Sequence, residues 1–170
     1  TVCVMDVLEV MLMTMPVGGD LAIRVHGVMV KLQPPHTVLE LFVPWLSCFS
    51  QAVAQVGDRA SLVNGLNVVF EAIQCDESQV LVAGKTAVEQ LLSSTAHSHL
   101  TDDDLVMIAG SLNQKINVKR FDSFRPATLD ICLLTMEAFK HRLCPSFSGT
   151  IQMLAILHDR RGFCLQETVE

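Results

Sequence analysis

The chain has 170 residues, with 18 acidic against 12 basic side chains and a formal net charge of −6. Half of the residues are hydrophobic and 18% are charged, which excludes a disordered or collagen-like chain and leaves enough apolar material for a substantial core. There is no tyrosine and a single tryptophan, Trp45, so catalysis or recognition built on tyrosine is excluded.

Proline and glycine punctuation divides the chain into about eight segments of helical character: 2–15, 20–33, 37–56, 59–74, 77–96, 102–118, 126–143 and 148–159. Pro16-Val17-Gly18-Gly19 ends the first and Pro34-Pro35 the second. Their Val-Cys-Val-Met and Val-Met-Val runs also invite a β reading. The third holds the longest uncharged run, between Glu40 and Asp58. That run is shorter than the roughly 20 apolar residues a membrane span needs, and it carries Pro44, Ser47, Ser50 and two glutamines. A buried helix pair is the expectation. Gly57-Asp58 separates it from the fourth segment, where Leu62, Leu66, Val69 and Ile73 share one helical face.

The fifth segment contains Gly84-Lys85-Thr86, which ends like a phosphate-binding loop. Such a loop needs a preceding strand and a glycine five residues before Gly84; position 79 is Gln79. A helix interior with a small residue at a packing contact is the expected reading. His97 and His99, followed by Asp102, Asp103 and Asp104, resemble a metal cluster only on paper, because the run reads as a polar loop entering a helix. Thr101 and Asp104 have capping-box spacing, and the three aspartates lie where the helix dipole favours negative charge. Leu105, Ile108, Ala109 and Leu112 then form the apolar stripe of the sixth segment. Pro126 suits the first turn of the seventh, whose stripe is Ile131, Leu134 and Ala138, widened by Phe139. Pro145 stops that segment after Cys144.

The stripe Leu105, Ile108, Ala109, Leu112 recurs 46 residues later at Ile151, Leu154, Ala155, His158, and 43 residues earlier at Leu62, Gly65, Leu66, Val69. Two helices per unit at such a period is the pattern of an α-solenoid. The expected architecture is one all-α domain over 1–170, built of antiparallel helical hairpins, with helix-pair units at 58–100, 101–144 and 145–170. A non-repeating helical bundle is the alternative.

Six cysteines, at 3, 48, 75, 132, 144 and 164, have no CxxC spacing, and Cys132 sits within an apolar helical pattern. They are expected to be thiols in a reducing, intracellular compartment. The absence of an initiator methionine before Thr1 suggests a fragment or a processed chain.

No HExxH, GxSxG or GxGxxG occurs, and nothing places a nucleophile beside a base. No catalytic, metal or cofactor residue is assigned, and no enzyme activity is expected. Charge is distributed unevenly. Residues 1–114 hold four bases and twelve acids, whereas 115–170 hold eight bases and six acids. Lys115, Lys119, Arg120 and Arg125 cluster near one inter-helix turn, with Lys140, His141 and Arg142 after the next helix and Arg160-Arg161 after the last. Such clusters suit phosphates. Cations near helix C-termini also complement the dipole without any ligand.

The segment LTDDDLVMIAGSLNQ, followed by a second helix at 126–143 and a third beginning PSFSGTIQMLAILHDRRGF, resembles the helical repeats of organellar proteins of the FAST-kinase-like and octotricopeptide group. The resemblance covers roughly residues 100–163. It implies an α-solenoid, mitochondrial or plastid, acting on organellar RNA or within a ribonucleoprotein such as the mitochondrial ribosome. Armadillo- or HEAT-like repeats account for the same pattern. The leading functional expectation is a non-catalytic scaffold or subunit that binds other proteins through helix faces. The alternative is an organellar RNA-binding repeat protein using Lys115, Lys119, Arg120, Arg125, Lys140 and Arg142.

Overall fold

The computed structural model describes residues 2–14, 16–35, 37–118, 126–142, 147–152 and 154–156. Their regular structure is helical throughout. The helices are α1 (Val2–Thr14), α2 (Asp20–Lys31), α3 (Leu39–Val56), α4 (Arg59–Phe70), α5 (Ser78–Leu92), α6 (Asp102–Val118) and α7 (Pro126–Ala138). Tight 3-10 turns lie at Glu71–Gln74, Thr95–His99 and Lys140–Arg142, and helical backbone resumes at residue 148. The all-α expectation holds, including the two N-terminal segments whose valine runs suggested strands. There the inward positions recur at helical spacing, as Met5, Leu8 and Leu12 in α1 and Ala22, Val25 and Met29 in α2.

The helix ends follow local chemistry. Asp58 caps α4 by accepting the Ser61 amide at 2.9 Å. The capping box of α6 forms as its spacing predicts: the Thr101 amide donates to Asp104 Oδ2 at 2.7 Å and the Asp104 amide to Thr101 Oγ1 at 3.3 Å. Gly57 ends α3 in the left-handed region at φ +70°, and a Cβ there would lie 2.6 Å from Val17 Cγ1. Two predicted segments divide where they tighten. The 59–74 segment becomes α4 plus a 3-10 turn, and 126–143 becomes α7 plus another.

No helix among the described residues is long and apolar enough to cross a membrane. The uncharged third segment is instead the centre of the fold. Helix α3 packs on α1, α2, α4 and α5, which is why Phe42, Trp45, Leu46, Cys48, Phe49, Ala52 and Val53 are all buried, on more than one face. Trp45 stacks on Phe42 and Phe49 with ring centroids 5.7 and 4.8 Å away. Its indole N–H donates to the Met29 carbonyl at 2.9 Å, so the ring enters the core without stranding its polar atom.

The odd-numbered helices pack in succession, α1 on α3, α3 on α5 and α5 on α7, while α4 packs on α6. Side-chain polar contacts repeat the same offset. Cys48 reaches the Met5 carbonyl, Ser50 reaches Gln90, Lys85 reaches Asp130, Lys115 reaches Glu71, Arg142 reaches Leu100 and Asp102, and Thr150 reaches Asn113, all at separations of 37 to 45 residues. The turns stack as well: the Gly18 amide donates to the Gln55 carbonyl at 2.7 Å, and Arg59 at the start of α4 lies 3.4 Å from Asp104 at the start of α6.

Two of the three apolar stripes behave alike. Leu62, Gly65, Leu66 and Val69 are buried, as are Leu105, Ile108, Ala109 and Leu112. The third copy is offset from its expected register. Ile151 is 45% exposed and Ala155 is exposed, while Phe147 and Thr150 are fully buried and Leu154 is half-buried; His158 lies outside the described residues. The inward stripe is therefore Phe147, Thr150, Leu154, 42 residues after Leu105, Ile108 and Leu112. The 46-residue match is four residues longer, one helical turn plus a rotation of about 40°. Residues 151 and 155 fall on a neighbouring face, and aliphatic identity alone could not tell one face from the next.

Candidate functional site

Of the basic residues singled out by sequence, the described ones, Lys115, Lys140 and Arg142, do not gather in one place. Lys115, on the last turns of α6, is 15% exposed and pairs with Glu71 at 2.5 Å. Arg142 lies at the other end of α6, where its guanidinium donates to the Leu100 carbonyl and to Asp102, both at 2.6 Å. Thirteen residues of helix separate the two attachment points, about 20 Å at 1.5 Å per residue. Lys140 pairs with Glu137 at 2.5 Å on the same turn of chain. Each described member of the set thus meets an acid of the chain itself. Lys119, Arg120 and Arg125, like His158, Arg160, Arg161, Cys144 and Cys164, lie outside the described residues.

The remaining polar motifs have structural uses. Gly84 is buried in α5, where a Cβ would stand 3.0 Å from the Ala72 Cβ and 3.4 Å from Ile131 Cδ1. Lys85 pairs with Asp130 on α7 at 3.0 Å, and the Thr86 hydroxyl turns back to the Val82 carbonyl. Gly84 and Lys85 serve helix packing, as the helix-interior reading expects, and Thr86 is exposed on the same helix. Of the acidic triplet, Asp104 closes the capping box and Asp102 receives Arg142. Burial pulls the Asp104 carboxyl upward, but the Thr101 hydroxyl and amide, with Arg59 and Arg142 nearby, outweigh it and hold its pKa below the usual carboxylate range. The His97 ring packs tilted against Phe139, with centroids 5.2 Å apart. Cys48, Cys75 and Cys132 carry thiols, and burial pushes the Cys132 pKa up to about 12, which leaves that sulfur inert.

Two surfaces have the character of binding sites. The first is the solvent-facing side of α1 and α2, two helices that both pack on α3. More than half of the large apolar side chains exposed among the described residues lie between Val7 and Leu32. On α1 they include Val7, Val10 (63% exposed) and Met13, opposite the face that meets α3; on α2 they include Leu21, Val28 and Leu32. Sequence reasoning noted the valine runs of these two helices without recognising that, among the described residues, one of their faces lacks a neighbour. The signal was present: α1 carries aliphatic or methionine residues around its whole circumference.

The second surface is a groove between α3 and α5. A hollow of about 530 Å³ is lined by Val43, Ser47, Val82, Ala83, Thr86 and Gln90 among others. Gln90 also lines an adjoining hollow of about 240 Å³, whose walls include Gln51, Gln55, Ser94 and Thr95. No motif marks this groove, because its residues come from two helices some 40 positions apart. Comparison of the chain with protein-family models, with curated proteins and with solved structures returns no match.

Proposed function

We propose that the chain is a non-catalytic helical scaffold, an α-solenoid segment of stacked hairpins that joins a larger protein assembly through its helix faces. The observation that carries this reading is the uncovered apolar face of α1 and α2. An apolar surface of that kind, on a chain whose layers otherwise cover one another, marks a protein interface. The repeated offset of 37 to 45 residues in the polar contacts supports the solenoid part of the proposal, since each unit of such a stack touches only its neighbours.

The test is purification of the tagged chain from its own cells after nuclease treatment and at high salt, with cross-linking and quantified stoichiometry. The expected result is a stoichiometric partner that cross-links to Lys31 and is lost when Val7 and Val10 are both replaced by glutamine. A chain recovered alone, or a partner indifferent to those replacements, overturns the reading. Recovery of RNA that falls steeply with salt would instead favour phosphate contact through the basic residues.

A further inference from the structure

The α3–α5 groove differs from the other creases in its chemistry. Val43, Val82, Ala83 and Ala87 line one end, and Gln51, Gln55, Gln90, Ser93, Ser94 and Thr95 line the other. Among the described residues, no acidic or basic side chain lines either hollow. The crease one helix further along, between α5 and α7, is lined by Lys85, Glu89, Asp130 and Glu137 beside its leucines. An uncharged lining is therefore a property of this groove and not of helix stacking in general. At its polar end Gln55 Oε1 and Ser94 Oγ are two of the five buried side-chain atoms without a hydrogen-bond partner among the described residues; the others are Asn67 Oδ1, His97 Nε2 and Thr128 Oγ1.

We propose that this groove binds an extended, uncharged peptide segment of a partner protein. The segment sets aliphatic side chains against Val82 and Ala83 and its main-chain amides against the glutamine and hydroxyl end. This inference rests on the scaffold reading and names what one of its surfaces holds. Three physical points select the occupant. A helix satisfies its own backbone and would leave the row of amides and hydroxyls idle. A lipid-like amphiphile carrying a charged headgroup would find no counter-charge here. An extended strand presents one N–H and one carbonyl per residue, and a turn of the Gln55 amide about its terminal bond offers it either an acceptor or a donor. Size agrees. From Val43 to Gln55 the groove runs twelve residues of α3, about 18 Å, which is the span of about five extended residues.

The probe is a panel of blocked hexapeptides, acetylated and amidated, with Val, Leu or Ile at alternate positions and Ser or Gln between them. Binding to the full 170-residue chain is read by amide chemical-shift mapping and by titration. The expected result is that at least one peptide shifts the signals of Val82, Ala83, Gln90 and the Gln55 side-chain amide. Val82→Asp and Thr86→Arg, both at exposed positions that the fold does not depend on, should each weaken that peptide at least tenfold. Val106→Asp, on the exposed side of α6, should leave it unchanged. No binding by any peptide, shifts that map elsewhere, or an affinity indifferent to Val82→Asp and Thr86→Arg overturns the proposal. Preferential binding of a neutral alkyl detergent at the same residues overturns it too. Retention of the cellular partner by Val82→Asp, with its loss in the Val7/Val10 double variant, would sink this inference and leave the scaffold reading intact.

Discussion

The two N-terminal helices and the middle layers use the same kinds of residue and end in different states. In α3 and α4 the apolar side chains sit between neighbours, and Trp45, Phe49, Leu62, Leu66 and Val69 are all at or below 1% exposure. In α1 the sequence is just as apolar, yet Leu12 is sealed while Val7, Val10 and Met13 face outward. Composition does not separate the two regions; the number of covering neighbours does. Helix α3 has α1, α2, α4 and α5 packed on it, whereas α1 meets chiefly α3 among the described residues, so equal composition leaves one helix sealed and the other with apolar side chains in solvent.

The comparison is broken most directly from the middle. Trp45→Ala removes the ring that stacks on Phe42 and Phe49 together with its bond to the Met29 carbonyl, and should cost about 3–5 kcal/mol in denaturant unfolding. A loss under about 1 kcal/mol would mean that α3 is not the centre of the fold. Gly84→Val should cost about 1–3 kcal/mol, because Ala72 and Ile131 already occupy the space its side chain requires.

Smaller effects come from the turns. Asp104→Ala removes the capping box of α6, with an expected loss of about 1 kcal/mol near neutral pH. Because the folded pKa of Asp104 is depressed, its contribution is complete above the ordinary carboxylate range and disappears as pH falls through the folded value. The variant and the parent should therefore converge in stability in acid. His26 is also depressed, by burial against α3, with Asp58 opposing. Its contribution is full above the ordinary value of 6.5 and declines as pH drops below it. His26→Gln should accordingly flatten the dependence of Tm on pH between about 7 and 5.

The smallest effect on stability belongs to the outer face of α1. Val10→Ser should change the unfolding free energy by no more than about 0.5 kcal/mol, since the side chain is already in solvent. A loss of about 2 kcal/mol or more would show that the face is packed after all and would erase the contrast with α3.

Much of this molecule was legible in one dimension. The positions of prolines and glycines, the 3.6-residue recurrence of Leu62, Leu66 and Val69, and the spacing of Thr101 and Asp104 determined an all-helical chain and most of its helix limits. These features act within a few residues of themselves, and local chemistry is what a sequence displays. Tertiary structure alone decided the rest. It set the last stripe at Phe147, Thr150 and Leu154, since a small rotation of the helix about its axis changes which aliphatic residues are inward without changing composition. It sent Lys115 and Arg142 to opposite ends of α6, each beside an acid some 40 residues away. And it brought Val43 and Gln55 of α3 beside Val82 of α5 and Ser94 of the turn after it to make an uncharged groove. A crease between two helices exists only once the layers have stacked.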